Sequence, residues 1–253
     1  MAKIVMITGA SSGFGEAAAR KFAQEGCRVI LAARSQDKLD ALAQELSKVS
    51  DVYAAAMDVT DADSVNEFFE NLPDTFKEID VLVNSAGLAL GMGPAHEVEF
   101  SDWETMIDTN IKGVLRVTRA VLPSMVARDT GHVINIGSTA GNWPYPGGNT
   151  YGGTKAFIQN FSRALRADLL GKHVRVSNIE PGMAETNFSN VRFKGDAEKA
   201  DKVYAGTKPL TAEDIADIIY WVNATPSHVN VNTLEVMPTC QAWSALTVNR
   251  EMD

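Results

Sequence analysis

Residues 8–15 of the chain read TGASSGFG, and they follow a short apolar run, Ile4–Thr8, and open a longer amphipathic one. A glycine turn between a β-strand and a helix suits an anion, because free backbone N–H groups and the helix dipole point at the ligand. Gly9 permits a tight turn, Gly13 lets the backbone approach a pyrophosphate, and Gly15 allows the helix to pack closely on the strand. The stretch predicts a dinucleotide-binding turn, with a helix entry that merely needs glycine as the alternative.

Short β-rich apolar runs alternate with longer amphipathic runs along the rest of the chain. The predicted strands are Ile4–Thr8, Arg28–Ala32, Val52–Met57, Val81–Asn84, His132–Gly137, Val174–Ile179 and Thr233–Met237. The predicted helices are Gly13–Glu25, Asp37–Val49, Ala62–Glu70, Asp102–Ala127, Tyr151–Leu170 and Thr211–Asn223. This alternation predicts an α/β fold, a Rossmann-type doubly wound parallel sheet of about seven strands with helices on both faces. Ligands of such sheets bind beyond the carboxyl ends of the strands.

Composition narrows the classes of protein. The 253 residues have a formal net charge of −9 and 45% apolar side chains, which fit a single domain over residues 1–253. The acidic balance works against a nucleic-acid or anionic-membrane surface, so we expect no nucleic-acid and no membrane partner. Cys27 and Cys240 have no paired spacing, so we expect no metal site and a cytoplasmic location, and the N-terminus does not resemble a signal peptide.

Two positions that follow predicted strands bear on the nucleotide. No carboxylate that would bind a ribose 2′-hydroxyl stands in Ala32-Ala33-Arg34-Ser35. The Arg34 guanidinium can instead hold a 2′-phosphate, with Ser11 adding a hydroxyl, so the sequence favours NADP(H) over NAD. An arginine that only meets water is the alternative. Asp58 follows the third strand, where its carboxylate is a candidate to accept the adenine amino group, with a cap at the approach to a helix as the alternative.

Tyr151 and Lys155 are four residues apart in a helical stretch, so their polar ends share one face. An ammonium within about 4–6 Å stabilises a phenolate, which predicts a lowered pKa for Tyr151. Ser138 follows the fifth strand, where its hydroxyl can hold a substrate oxygen during proton transfer from Tyr151. Asn110, in the long predicted helix, is a candidate to complete a proton path. Each residue also has an ordinary interpretation as a packing, surface or turn residue.

The spacing GxxxGxG and the ordered set Asn110, Ser138, Tyr151 and Lys155 resemble the short-chain dehydrogenase/reductase family over essentially the whole chain. The resemblance implies a homotetramer, and four catalytic residues that shuttle a proton while NAD(P)H gives hydride. It also implies ribose contacts in Asn84-Ser85-Ala86-Gly87, where Ser85 departs from the family's second Asn, and a nicotinamide contact near Thr186. The residues expected to bind the cofactor are Thr8, Gly9, Ser11, Ser12, Gly13, Phe14, Gly15, Arg34, Asp58, Val59, Asn84, Ala86, Gly87, Tyr151, Lys155, Pro181, Gly182 and Thr186.

The resemblance also implies that the substrate binds under a lid of about residues 183–210. Tyr145, in an aromatic, proline-rich wall, and Arg192, in the lid, are the candidate substrate contacts besides Ser138 and Tyr151, and Arg192 can clamp a carboxylate or sulfonate. The alternative for Arg192 is an exposed loop arginine that meets only water. Apolar residues such as Trp243 in the C-terminal tail, about 239–253, predict a subunit contact.

Residues 141–145 and 190–195 look like the NADP-dependent 3-hydroxy acid dehydrogenases, which act on serine, allo-threonine or 3-hydroxypropionate/malonic semialdehyde. Residues 182–186 and 236–243 look more like the sulfoacetaldehyde reductases, which form isethionate. The resemblance therefore implies an oxidoreductase for a short anionic hydroxy compound, with the carboxylate first and the sulfonate as the alternative. A non-catalytic NADP-sensing module is the alternative from a different class, and the complete set of four residues argues against it.

Overall fold

Apolar, β-rich segments form a single seven-stranded parallel sheet in the computed structural model, which describes residues 2–243 and 248. The strands are β1 Ile4–Thr8, β2 Arg28–Ala33, β3 Val52–Ala56, β4 Val81–Asn84, β5 Gly131–Ile136, β6 Val174–Pro181 and β7 Thr233–Val236. They lie in the order β3-β2-β1-β4-β5-β6-β7, with every neighbouring pair parallel. The predicted doubly wound α/β fold is confirmed, with strand ends within two residues of their predicted positions.

Helices connect the strands and cover both faces of the sheet. They are α1 Gly13–Gln24, α2 Gln36–Leu46, α3 Ala62–Glu70, α4 Phe100–Ile107, α5 Val114–Arg128, α6 Asn149–Asp168, α7 Phe188–Arg192, α8 Ala197–Tyr204 and α9 Ala212–Ala224. Polar residues fix several helix starts. Asp61 accepts the backbone N–H of Asp63 at the start of α3, and Thr211 and Asp214 form a reciprocal capping box at the start of α9.

The helix predicted over Asp102–Ala127 is three segments in the structure. A π-helical stretch, Asp108–Gly113, separates α4 from α5 and inserts a wider turn where a continuous α-helix was expected. Gly113 lies in this stretch against Val59, whose side chain a Cβ would meet at 2.7 Å. The apolar periodicity continues through the π turn, so the sequence pattern alone did not reveal the interruption.

Two apolar clusters lie on opposite faces of the sheet. Helices α1, α2 and α9 pack on one face, where Phe22, Leu39 and Ile219 are fully buried. Helices α3, α5 and α6 pack on the other face, around Met6, Leu82 and Met125. Burial on both faces explains why the strands read as continuous apolar runs, and it leaves the carboxyl ends of the strands as the open edge.

At this edge the strand order changes direction between β1 and β4, which is where open α/β sheets bind ligands. The segment after β6, with α7 and α8, extends over the same edge. Within the described residues, no helix is long and apolar enough to cross a membrane. Most of the predicted tail contact, including Leu246, lies outside the described residues, whereas Trp243 is described and exposed and Val248 forms a bridge with Gln241.

Candidate active site

The glycine turn joins β1 to α1 in a conformation that suits glycine. Gly9 has φ +69° and Gly13 φ +54°, backbone regions that other residues adopt rarely. A Cβ on Gly9 would lie 2.9 Å from the backbone of Ala86, and one on Gly15 would overlap the carbonyl of Gly9. Ser12 is the N-cap residue of α1, yet its side chain makes no capping hydrogen bond. The turn therefore leaves the N-terminus of α1 open to close approach by an anionic ligand.

A cavity runs over the carboxyl ends of the strands from this turn to the segment after β6. Fifteen of the residues expected to bind the cofactor line it, together with Ser138: Gly9, Ser11, Ser12, Gly13, Phe14, Arg34, Asp58, Val59, Ala86, Gly87, Tyr151, Lys155, Pro181, Gly182 and Thr186. The fold thus brings to one cavity residues that are up to 177 positions apart, from Gly9 to Thr186.

Three predicted cofactor residues lie behind the cavity wall. The buried Thr8 hydroxyl accepts the backbone N–H groups of Ser85 and Ala86, each at 3.1 Å. The buried Asn84 side chain donates to Asn135 at 2.8 Å, and Gly15 packs on Gly9. In the structure these residues hold the wall in shape, and a direct contact with the cofactor stays a prediction.

Arg34 and Asp58 mark the end of the cavity beside β2 and β3. Arg34 is exposed, and its guanidinium has no hydrogen bond or ion pair within residues 2–243. Asp58 has one carboxylate oxygen committed, because Oδ1 accepts both the N–H and the hydroxyl of Thr60, at 2.8 and 2.7 Å. The cap of α3 is Asp61 rather than Asp58, so Asp58 stays available to the cavity that it lines.

Tyr151 and Lys155 lie on the cavity side of α6, and both are buried. Burial raises the pKa of Tyr151 to about 12 and lowers the pKa of Lys155 to about 8. The Lys155 ammonium donates to the carbonyl of Ile136 at 2.8 Å and lies 5.8 Å from the centre of the Tyr151 ring. The predicted lowering of the tyrosine pKa is therefore wrong for the protein by itself, because desolvation outweighs the neighbouring charges.

Ser138 and Asn110 complete the predicted catalytic set. The Ser138 hydroxyl acts on Tyr151 in the direction that favours the phenolate, and its Oγ accepts the N–H of Ala140 at 3.1 Å. Asn110 lies in the π-helical stretch, where its side chain accepts the N–H of Leu88 at 2.9 Å and donates to the carbonyl of Leu88 at 2.8 Å. Both of these Asn110 hydrogen bonds are therefore made to the backbone of the loop after β4.

The lid brings a guanidinium to the tyrosine. Arg192, the last residue of α7, donates through Nη2 to the Tyr145 hydroxyl, and its guanidinium carbon lies 5.1 Å from the centre of the Tyr151 ring. Its Nε is buried and has no hydrogen-bond partner among the described residues. An unpaired buried donor is costly in a folded protein, so it marks a place for an acceptor. Neither Tyr145 nor Arg192 lines the cavity itself, which Phe188 and Val191 border instead.

The sequence did not single out the buried carboxylate of Glu180. It accepts side-chain amides of Asn142, Gln159 and Asn178 at 2.7, 2.9 and 2.6 Å, and burial raises its pKa. This network ties the end of β6 to the loop that carries Ser138 and Tyr145. Its only sequence signal was the acidic residue directly before Pro181. Phe188 and Val191 were missed because the two lid helices are too short for a periodic pattern.

Residues 3–197 match the short chain dehydrogenase family, and the chain belongs to this family of oxidoreductases. It is 54% identical over 249 residues to the NADP-dependent 3-hydroxy acid dehydrogenase YdfG of Escherichia coli (strain K12), covering 98% of this chain and all of the relative. It is 52% identical over 252 residues to sulfoacetaldehyde reductase 2 of Chromohalobacter salexigens, covering 99% of this chain and all of the relative. The closed form of a serine dehydrogenase complexed with NADP+ superimposes with a TM-score of 0.94 and 54% identity over 97% of this chain and 98% of that one.

Proposed function

We propose that the protein is an NADP(H)-dependent oxidoreductase that interconverts a short anionic hydroxy compound and its aldehyde or ketone, most directly 3-hydroxy acids such as serine, allo-threonine and 3-hydroxypropionate. The observation that carries the proposal is the Arg192 guanidinium beside Tyr151, with its buried Nε unpaired among the described residues. A carboxylate one carbon away from the reacting carbon would supply the missing acceptor and a bidentate partner.

The cavity fits an NADP molecule. Arg34 is free to bind a 2′-phosphate, Ser11 adds a hydroxyl to the same cavity, and no acidic side chain directly follows β2 in Arg34-Ser35. The N-terminus of α1 and the two positive-φ glycines suit the pyrophosphate. Relatives with NADP in their names support the same cofactor. When bound near Pro181 and Gly182, the nicotinamide supplies or accepts the hydride.

Tyr151 is the proposed acid and base. In reduction its hydroxyl donates a proton to the carbonyl oxygen of the substrate, and in oxidation the phenolate takes the proton back. Ser138 holds the same substrate oxygen, and the Lys155 ammonium stabilises the phenolate. We assign Asn110 a positioning role, because its side chain fixes the Leu88 backbone beside the site.

The substrate fits between Tyr151 and the lid. The Tyr145 hydroxyl and the Arg192 guanidinium would both bind the substrate anion, and Phe188, which packs on Tyr151, would limit the length of the substrate. A sulfonate one carbon away from an aldehyde satisfies the same groups, and the 52% identical sulfoacetaldehyde reductase favours this second candidate. A non-catalytic NADP-binding role is less consistent with a tyrosine, serine and lysine gathered in one cavity.

We also propose a cytoplasmic homotetramer. Large apolar side chains are exposed on the outer faces of two helices, Phe157 on α6 and Trp221 on α9, and Leu170 follows α6. Exposed apolar side chains of this size are typical of subunit contacts. Sedimentation of the purified protein tests the assembly directly, since a monomeric particle would contradict it.

The experiment compares malonic semialdehyde with propanal, which has the same length and a methyl group in place of the carboxylate. In Arg192→Met, the kcat/KM for malonic semialdehyde divided by that for propanal is expected to fall by about 10- to 100-fold, the range for a hydrogen bond to a charged group. Wild-type protein and Arg192→Lys are the matched controls, and Lys is expected to restore part of the ratio. An unchanged ratio in Arg192→Met would overturn the assignment of the anion site.

A further inference from the structure

The Arg192 guanidinium lies among three aromatic rings. Its central carbon is 5.1 Å from the centre of the Tyr151 ring, 5.4 Å from Phe188 and 5.7 Å from Tyr145. A guanidinium over an aromatic face is attracted by the ring, and it stabilises any negative charge that develops there. The distance to Tyr151 is shorter than the 5.8 Å between that ring and the Lys155 ammonium.

Among the described residues, the other charged or titratable groups near Tyr151 are Lys155 and Tyr145. Lys155 comes from its own helix and is held on the carbonyl of Ile136. Tyr145 comes from the loop after β5, and a negative charge on it would oppose a phenolate at Tyr151. The loop after β4 and helix α4 contribute apolar side chains to the cluster around Tyr151, namely Leu88, Ala89, Trp103 and Met106. Arg192 is therefore the cation that the lid adds to the environment of the tyrosine.

The lid is fixed in the position that places Arg192 there. The carbonyl of Arg192 accepts the N–H of Gly91 at 2.9 Å, which joins α7 to the loop after β4. The Lys194 ammonium pairs with the largely buried Asp102 at 2.8 Å. Lys194 has φ +53° and Gly195 φ +89°, so the chain turns sharply just after α7. Movement of this segment would carry the guanidinium away from Tyr151.

We infer that Arg192, besides anchoring the substrate, stabilises the Tyr151 phenolate, so that the acidity of the catalytic tyrosine depends on the lid being closed. This inference rests on the proposed function only in taking Tyr151 as the acid and base. A substrate anion that binds Arg192 offsets part of the positive potential that the guanidinium exerts at Tyr151. The same cation then serves the binding of the anion and the proton transfer.

The test follows Tyr151 directly in the complex with NADP+. Tyrosine labelled with ¹³C at Cζ reports ionisation by NMR, and the signal that is lost in Tyr151→Phe identifies Tyr151 among five tyrosines. Removal of the charge in Arg192→Met is expected to raise the pKa of Tyr151 by about 1, the lower end of the range for a cation at this distance. Arg192→Lys is expected to bring the pKa most of the way back to the wild-type value.

A second readout uses a neutral alcohol, 1-propanol, which has no anion for Arg192 to bind. At any pH below the tyrosine pKa, raising that pKa by about 1 lowers kcat/KM for oxidation about tenfold, so the effect is measurable even where the midpoint is too alkaline to reach. Lys202→Met removes an equal charge from α8, where the ammonium is 70% exposed and paired with Glu198, and it is expected to leave both readouts unchanged.

Identical Tyr151 signals and identical 1-propanol profiles in wild type and Arg192→Met would overturn the inference and leave Arg192 a substrate anchor alone. An equal loss in Lys202→Met would also overturn it, because the effect would then be general to positive charge on the lid. Failure of the proposed function is a different result: Arg192→Met would then keep the wild-type selectivity between malonic semialdehyde and propanal.

Discussion

At the scale of single residues, burial moves the two central groups in opposite directions. Tyr151 is kept neutral because its pKa is about 12, and the Lys155 pKa of about 8 lies near physiological pH. A neutral tyrosine is the form that donates a proton to a carbonyl, and a lysine near its own pKa exchanges protons readily. The Ser138 hydroxyl and the Arg192 charge favour the phenolate that forms during the step.

The choice of nucleotide depends on Arg34. Arg34→Asp replaces a free guanidinium with a carboxylate that repels a 2′-phosphate and accepts a 2′-hydroxyl. We expect the ratio of kcat/KM for NADPH over NADH to fall by about 10-fold or more, from the loss of a hydrogen bond to a charged group. Lys38→Asp, an equal charge change at an exposed position in the first turn of α2, is the control. A ratio that stays the same in Arg34→Asp would assign nucleotide choice to other residues.

At the scale of elements, two neighbouring glycines of α6 differ in their surroundings. A Cβ on Gly153 would meet no described residue within 4 Å, whereas one on Gly152 would lie 2.9 Å from the carbonyl of Ala140. We expect Gly153→Ala to raise the free energy of unfolding by about 1 kcal/mol, the helix-propensity difference. Gly152→Ala is expected to lower it by about 1 kcal/mol or more, because the turn after Ser138 must move.

Urea unfolding of the two variants beside wild type gives this comparison. The difference between them is the informative quantity, since both changes add the same methyl group to the same helix. Equal effects of the two substitutions would contradict the close contact between Gly152 and Ala140.

The elements also show what the sequence was able to predict. The strand, glycine turn and helix around Gly9 follow from local rules, so their positions were predicted nearly to the residue. The π-helical stretch around Asn110 was not, because it leaves the apolar periodicity intact and its Asn110 side chain contacts Leu88, 22 residues away in sequence. The lid helices α7 and α8, of five and eight residues, are too short to show a period.

Within the candidate site, the four-residue spacing was enough to predict that Tyr151 and Lys155 lie together. The direction of the tyrosine pKa was not predictable, since it depends on burial by residues distant in sequence, such as Ala89 and Met106. The pairing of Arg192 with Tyr145 depends on the lid fold in the same way. Side-chain chemistry was therefore readable from the sequence, and its electrostatic setting was not.

At the scale of the whole molecule, the open edge of the sheet gathers the site while the opposite edge carries a buried histidine. His132 at the start of β5 is 2% exposed, and a ring nitrogen lies 2.9 Å from the Ser177 hydroxyl. Burial lowers the pKa of His132 to about 3, and the nearby Arg175 adds to the effect. The folded protein therefore keeps this ring neutral where the unfolded chain would protonate it.

This histidine makes stability depend on pH. Because the folded pKa lies below the unfolded value of about 6.5, the unfolded state binds more protons between about pH 6.5 and 3, and stability falls as the pH is lowered through that window. From pH 7 to 5 the contribution of this residue is a loss of about 2 kcal/mol. His132→Gln is expected to lose less stability over the same range, whatever its stability at pH 7. Parallel pH profiles of denaturant unfolding for the two proteins would contradict the assignment.

The central claim is that the cavity, the catalytic residues and the lid together reduce a short anionic aldehyde with NADPH as the hydride donor. The measurement that tests it most directly is NADPH oxidation by the purified protein with malonic semialdehyde, with sulfoacetaldehyde and propanal in parallel. We predict that malonic semialdehyde has the highest kcat/KM and propanal the lowest, and that Tyr151→Phe loses about 10²- to 10⁴-fold of the rate. A higher kcat/KM for sulfoacetaldehyde would favour the second candidate function, a sulfoacetaldehyde reductase. The account would be contradicted if neither anionic aldehyde had a higher kcat/KM than propanal. Full activity in Tyr151→Phe would contradict it as well.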